Sequence, residues 1–382
     1  MRVVTTTEEL SAFCDEIKTQ EFVTVDTEFM REKTYWPILC LIQVAAPNAE
    51  AIIDPLPEEI DLAPLLDLLA LQDVVKVFHA ARQDVEIFVR LMGRPPAPLF
   101  DTQVAAMACG FGDQIGYEPL MRALLGAKID KGSRFTDWSR RPLSDKQLTY
   151  ALSDVTHLRD AYPILARKLD RDDRRDWVAE EMSALIDPGL YRTEPEEAWR
   201  RLKLRNVRPS EIGAVMKLAE WREREAQGRD VPRGRIIKDE AIFEIARLKP
   251  QTADDLARAR SLPNGTERSK FGVAILDAVK EGGAIPREEL PKVDRNPNRT
   301  PPPPDVVDML KVVLKRQCER HDVAPRLIAS GADLEELALN PQADIPALKG
   351  WRREVFGEAA EKVMRGEIAL RLVGGKLDLV EL

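Results

Sequence analysis

Short apolar runs rich in β-branched residues mark the first eighty positions, and a three-to-four-residue apolar period takes over after position 144. Glu21-Phe22-Val23-Thr24-Val25 leads into Asp26; Ile38 to Val44 and Glu50 to Asp54 follow, separated by Pro37 and by Pro47-Asn48. Such runs between turn residues predict successive strands. Val74 to Phe78 predicts a further strand, and Ala80 to Met92 a helix closing at Gly93. Strands first, then strands mixed with helices, predict a mixed sheet with helices on both faces. From about residue 144 onward the pattern is almost all helical. Ser144 and Gln147 form a capping-box pair ahead of an apolar period from Leu148 to Leu165.

Punctuation divides the chain near residues 205 and 300. Pro188-Gly189, Pro195 and a basic stretch from Trp199 to Arg208 close the first part, 1–204. A helical part, 205–290, is followed by a polar Pro-rich linker over 291–304 and a second helical part, 305–382. The two helical parts resemble each other. Gly228-Arg229-Asp230-Val231-Pro232 aligns with His321-Asp322-Val323-Ala324-Pro325, and Phe271-Gly272 with Phe356-Gly357 at comparable offsets. A duplicated helical module is the economical reading.

Composition narrows the class. Of 382 residues, 44% are apolar and 32% charged, the balance of a globular chain, and the net charge of −8 excludes a uniformly basic coat. Cys14, Cys40, Cys109 and Cys318 form no C-x-x-C pair, so neither a disulfide framework nor a thiolate zinc site is indicated. The polar start and the lack of a long apolar run predict a soluble, cytoplasmic protein without a membrane partner.

Three elements carry candidate chemistry. Asp26-Thr27-Glu28 ends the first long predicted strand, where residues i and i+2 project together. Two neighbouring carboxylates repel, and a divalent cation relieves that repulsion; an oxygen donor set suits Mg²⁺ or Mn²⁺. A solvated strand end is the plainer meaning of Asp-x-Glu alone. Asp84 lies in the first turns of a helix that follows a strand, where an anion is also tolerated on electrostatic grounds alone. Tyr150 and Asp154, four apart, share a helix face, as a packed Tyr beside a surface acid also would.

In this order the five residues resemble the DEDD exonuclease superfamily in its tyrosine subclass, and within it the ribonuclease D family. The resemblance extends through Val25 to Phe29, Thr34 to Pro37, Leu41 to Gln43, Phe100 to Thr102 and Asp137 to Leu143. The duplicated modules resemble the HRDC domains that follow this nuclease core, the second more divergently. Ala80, after His79, and Gln83, before Asp84, depart from residues frequent in the superfamily.

The resemblance implies an α/β, ribonuclease H-like core followed by two all-α domains. It implies a 3′→5′ exoribonuclease releasing nucleoside 5′-monophosphates, with RNA, and tRNA precursors bearing 3′ extensions in particular, as substrate. Asp26, Glu28, Asp84 and Asp154 would hold two Mg²⁺ or Mn²⁺ ions, with Asp26 bridging. Tyr150, a poor general base with an ordinary pKa of about 10, would orient the attacking water. A DNA 3′→5′ exonuclease and a catalytically silent RNA-binding module are the alternatives.

Other signals carry less. Gly110 to Gly116 only approximates a dinucleotide loop, and with no G-x-x-x-x-G-K-[ST] present no nucleotide cofactor is predicted. His79, His157 and His321 are too scattered for a metal site, and His79 and Asp101 read as structural. Residues 200–240 carry twelve basic against seven acidic side chains. Arg200, Arg201, Lys203 and Arg205, with Arg134, Arg140 and Arg141, are the candidate phosphate-attracting residues. Trp36 is a candidate for stacking on a terminal base, with core burial as its alternative.

Overall fold

The computed structural model describes residues 1–130, 132–133, 136–204, 207–291 and 301–382. Arg134, Arg205 and positions 292–300 of the Pro-rich linker lie outside the described residues. Two compact units emerge: Met1–Glu28 with Cys40–Leu190 and Thr300–Leu382, and Phe29–Leu39 with Tyr191–Arg299.

The first unit is built on a mixed sheet in the order β1-β4-β3-β2-β5-β6. Its strands are β1 (Val3–Val4), β2 (Phe22–Met30), β3 (Ile38–Ala46), β4 (Ala49–Ile53), β5 (Val75–Phe78) and β6 (Leu99–Asp101). β1 runs parallel to β4, β3 antiparallel to β4, and β5 parallel to both β2 and β6. Among the described residues the helices that flank it are α1 (Thr7–Ile17), α2 (Ala63–Ala70), α3 (Arg82–Met92), α4 (Thr102–Ala108), α5 (Tyr117–Leu125), α6 (Asp145–Arg171) and α7 (Arg175–Leu185). From Cys40 onward β3 is buried continuously, which explains its unbroken apolar run: neither face meets water.

The local signals hold where they are strongest. Ser144 accepts from the Gln147 amide while the Gln147 side chain returns to the Ser144 amide, so α6 starts where its capping box places it. α3 ends at Gly93 with φ 73°, the left-handed closure that glycine permits. Its start differs. Ala80 has φ 57°, a left-handed conformation that a helix cannot include, so α3 begins at Arg82 rather than Ala80.

The C-terminal stretch is helical over Pro304–His321, Pro325–Ile328, Gly331–Leu339 and Glu358–Met364. It then adds an antiparallel hairpin, β7 (Ile368–Val373) and β8 (Lys376–Glu381), which the helical reading did not contain. Its signal is a period-two pattern around Gly374-Gly375, whose φ values of 57° and 80° suit a two-residue hairpin turn. This stretch packs on α7 and α4. Arg352 pairs with Glu180 at 2.8 Å and also with Glu181, Trp351 stacks on Trp177 with centroids 4.2 Å apart, and the Ala324 amide donates to the Met107 carbonyl at 2.9 Å.

In the second unit, helices Ile212–Gly228, Asp239–Leu248 and Lys270–Ala284 enclose Val215, Leu218, Ile242, Ile245 and Ile275. Gly213 and Gly282 let two of these helices touch backbone to backbone, since a Cβ on Gly213 would lie 2.1 Å from the Gly282 carbonyl oxygen. The Asp-Val turns of the two helical stretches share a local geometry. Asp230 and Asp322 both take a left-handed φ, 50° and 49°, and the next residue, Val231 or Val323, donates its amide back to Ala226 or Cys318. Among the described residues no helix is long and apolar enough to cross a membrane.

Candidate active site

β2 alternates its side chains, and one face of it meets α6. Thr24, fully buried, is 2.9 Å from the Val155 carbonyl and 3.2 Å from the Ala45 carbonyl through its hydroxyl. Two and four residues further along the same face stand Asp26 and Glu28, and one residue before Val155 on α6 stands Asp154. Docking at Thr24 therefore delivers Asp154 to the pair. Ligand atoms of Asp26, Glu28 and Asp154 all lie within 4.8 Å of one another.

Asp84 stands outside this trio but within its field. It is buried at the start of α3, and its Oδ1 accepts the Thr27 hydroxyl at 2.5 Å. Burial pushes the Asp84 carboxyl up to about 7, while the Thr27 hydrogen bond holds it down and the Asp101 charge pushes it further up. Asp26 is raised well above the ordinary carboxylate range by its own desolvation, and then by the charges of Asp84, Asp154 and Glu28. Four carboxylates drawn from β2, α3 and α6 thus share an excess of negative charge. An all-oxygen donor set in that condition fits a hard divalent cation and no soft one.

Tyr150 lies on α6 with its ring centroid 6.1 Å from that of buried Trp138. A cavity of about 450 Å³ opens along this part of α6; Tyr150, Ser153 and His157 are among its lining residues, and Lys128 and Lys146 there are matched by Asp130 and Asp145. Tyr117, on α5, was not singled out by the sequence reading. Its hydroxyl donates to the main-chain carbonyls of Ser153 (3.0 Å) and Asp154 (2.5 Å). Burial raises its pKa, and the nearby charges of Asp154 and Asp26 raise it further, so it stays a neutral donor. No spacing rule could have found it, because nothing local in the sequence ties α5 to a carbonyl 37 residues on.

His79 and Asp101 serve the frame. His79 is kept neutral by burial; its Nδ1 is 3.0 Å from the Thr102 hydroxyl, which itself donates to the Phe78 carbonyl at 3.0 Å. Asp101 accepts the amides of Ala80 (2.9 Å), Ala81 (2.8 Å) and Gln103 (2.8 Å).

The basic candidates fall into different situations. Arg141 is a strut: its guanidinium is bidentate to Asp54, at 2.5 and 2.7 Å, and also donates to the carbonyls of Cys40, Trp138 and Arg140. Its donors are spent inside the protein, which leaves little for a phosphate. Arg140 is exposed. Arg200, Arg201 and Lys203, all exposed, belong to the second unit, where Arg200 lies over the Trp199 ring and pairs with Glu197, and Arg201 donates to the Thr193 hydroxyl.

Trp36 belongs to the second unit as well. It is half-buried, edge-on to Tyr35 at 4.6 Å, and its amide donates to Asp230 at 2.9 Å. Tyr35 is buried, with its hydroxyl bonded to Glu223 and receiving Arg233 at 2.7 Å. Arg233 grips both oxygens of the fully buried Glu223, at 2.5 and 2.6 Å.

The 3′-5′ exonuclease family matches over residues 1–170 and the HRDC domain over 212–279. The chain is 48% identical over 375 residues to ribonuclease D of Gluconacetobacter diazotrophicus, covering 98% of this chain and 95% of that protein. It is 50% identical over 380 residues to ribonuclease D of Acidiphilium cryptum, covering 100% and 97%. The chain belongs to the ribonuclease D family. By that membership it is a hydrolytic 3′→5′ exoribonuclease. A crystal structure of Escherichia coli RNase D, described as an exoribonuclease involved in structured RNA processing, matches with a TM-score of 0.82 at 28% identity, over 96% of this chain and 98% of that one. The family's α/β core and helical C-terminal region, expected from the sequence, are those of this chain.

Proposed function

We propose that Asp26, Glu28, Asp84 and Asp154 bind two divalent cations, Mg²⁺ or Mn²⁺, and that this site removes nucleoside 5′-monophosphates one at a time from RNA 3′ ends. The convergence of Asp26, Glu28 and Asp154 within 4.8 Å, under the dock of Thr24 on Val155, carries the reading. When bound, such ions acidify the attacking water and stabilise the leaving 3′-oxygen. The protein's own part is to hold the donors in place and orient water and RNA. Tyr150 contributes a neutral hydroxyl that aligns the attacking water by hydrogen bonding. The cavity beside it has room for a nucleotide.

The natural substrates on this reading are RNA precursors with 3′ extensions, tRNA precursors among them. The relatives' shared name and the RNA-processing role of the Escherichia coli protein support it. The helical module at 212–279 and a second, HRDC-like module at 305–382 add RNA contacts, with exposed Arg200, Arg201, Lys203 and Arg140 as phosphate contacts and Trp36 as a base-stacking residue.

End-labelled RNA and DNA oligonucleotides of one sequence, digested with Mg²⁺, Mn²⁺ or EDTA, test this. Mononucleotide release from RNA that stops in EDTA and in Asp26→Asn supports it. Metal-independent cleavage, or equal digestion of DNA, overturns the corresponding part. A charge-reversed Arg201→Glu/Lys203→Glu variant that kept the wild-type salt slope for RNA binding would remove those residues from the interface.

A further inference from the structure

We infer that Asp101 is a positioning residue for Asp84, acting through the left-handed turn at Ala80, and that it sets affinity at the part of the metal site Asp84 serves. The inference rests on the metal-binding reading above and deepens it.

β5 and β6 are parallel neighbours with Phe78 in register with Asp101, so the Asp101 carboxylate emerges beside the chain where it leaves β5. That chain must turn sharply into α3, and it does so at Ala80 with φ 57°. A residue with a Cβ adopts this conformation only under constraint. The constraint is visible. One Asp101 carboxylate takes the amides of Ala80 and Ala81 at 2.9 and 2.8 Å, and also caps α4 through Gln103. Thr102 adds a second tie on the same turn, to Phe78 and His79. Asp84 lies one helical turn beyond Ala81, so the direction in which α3 departs decides where its carboxylate sits.

A positioning effect makes Asp101→Asn bind cations more weakly, because the amide that replaces one oxygen presents N–H to a backbone N–H and releases the turn. Loss of the Asp101 anion weakens cation binding as well, so the two causes are separated by a second substitution that relaxes the turn without restoring the charge. Loss of an outer partner of a metal ligand costs about 10- to 100-fold in metal affinity. Ala80→Gly supplies the compensating change, since glycine adopts positive φ without a steric penalty and the turn then needs less holding.

Mn²⁺ binding to the metal-free full chain, followed by electron paramagnetic resonance and calorimetry, is the test. Wild type should bind two ions. Asp101→Asn should weaken one of them at least 10-fold while leaving RNA affinity in EDTA unchanged, and Ala80→Gly/Asp101→Asn should recover most of the loss. Asp101→Ser, whose hydroxyl can cap Gln103 but does not span to both alanine amides, should repeat the single-variant result if Asp101→Asn does not fold. Unchanged or tighter Mn²⁺ binding in folded Asp101→Asn or Asp101→Ser overturns the inference, as does a weakening that Ala80→Gly leaves untouched. A wild type that binds no Mn²⁺ overturns the metal-site reading itself.

Discussion

Thr27 donates its hydroxyl to Asp84 at 2.5 Å, joining the strand that carries Asp26 and Glu28 to the helix that carries the remaining acid. Thr27 is flanked by both strand acids yet turns its own side chain to the third partner. Among the contacts to Asp84, this one favours the charged carboxylate against the burial that disfavours it.

Thr27→Val should therefore raise the Asp84 carboxyl further above its value of about 7 and weaken activity at neutral pH more than at pH 8.5. The loss of a hydrogen bond to a charged group is worth about 1.5–3 kcal/mol, or roughly 10- to 100-fold. Rate against pH at fixed Mg²⁺ checks it: the acid limb should move to higher pH, and excess Mg²⁺ should partly restore the rate.

Metal-free stability should fall as pH rises. Unfolded, Asp84 titrates near the ordinary value of about 3.9; folded, it titrates at about 7, and Asp26 is raised as well. The folded state thus holds these protons more tightly, so their contribution is complete below pH ~4 and lost as pH climbs through 7. Thermal melts in EDTA from pH 5 to 8 should show a declining midpoint. Asp84→Asn should flatten that decline and melt higher than wild type at pH 8, by about 2–4 °C for each kcal/mol recovered. Mg²⁺ should raise the wild-type midpoint most at high pH.

Tyr117→Phe removes one donor from the Ser153 and Asp154 carbonyls while keeping the ring beside His79. A net cost of about 0.5–1.5 kcal/mol in stability is expected. Because the donor holds the backbone that presents Asp154, kcat should fall several-fold while RNA affinity in EDTA stays at the wild-type level. Single-turnover digestion alongside equilibrium binding separates the two.

Arg233→Met should destabilise the second unit by about 3–5 kcal/mol, since it strands the fully buried Glu223 carboxylate without its cation. Urea unfolding followed by tryptophan fluorescence reads this. Replacing both partners, as Glu223→Gln/Arg233→Met, should recover a large part of the loss.

Much of the site was legible because its signals are local. Asp26 and Glu28 share a strand face by a period of two, Tyr150 and Asp154 share a helix face by a spacing of four, and Ser144 with Gln147 marks the start of α6; each depends on backbone geometry within a few residues. Short elements were less visible. β1 and β6 have two and three residues, too few for a pattern, and the β7–β8 hairpin lies behind a long helical run whose period masks its alternation. Arg141 shows the limit for charges. An arginine free to meet a phosphate and one spent as a strut look alike in sequence, and only its five internal contacts tell them apart.

The sequence by itself determined β2 to β5, α3 and α6 in their order, and the identity and spacing of the acids they carry, because these follow from side-chain chemistry and short-range backbone periods. Tertiary structure alone decided that Thr24 docks α6, that Thr27 and Asp101 steer Asp84, and that Tyr117 supports Asp154. Those contacts join residues 20 to 131 positions apart, and such pairs meet only when packing has chosen one arrangement of the elements.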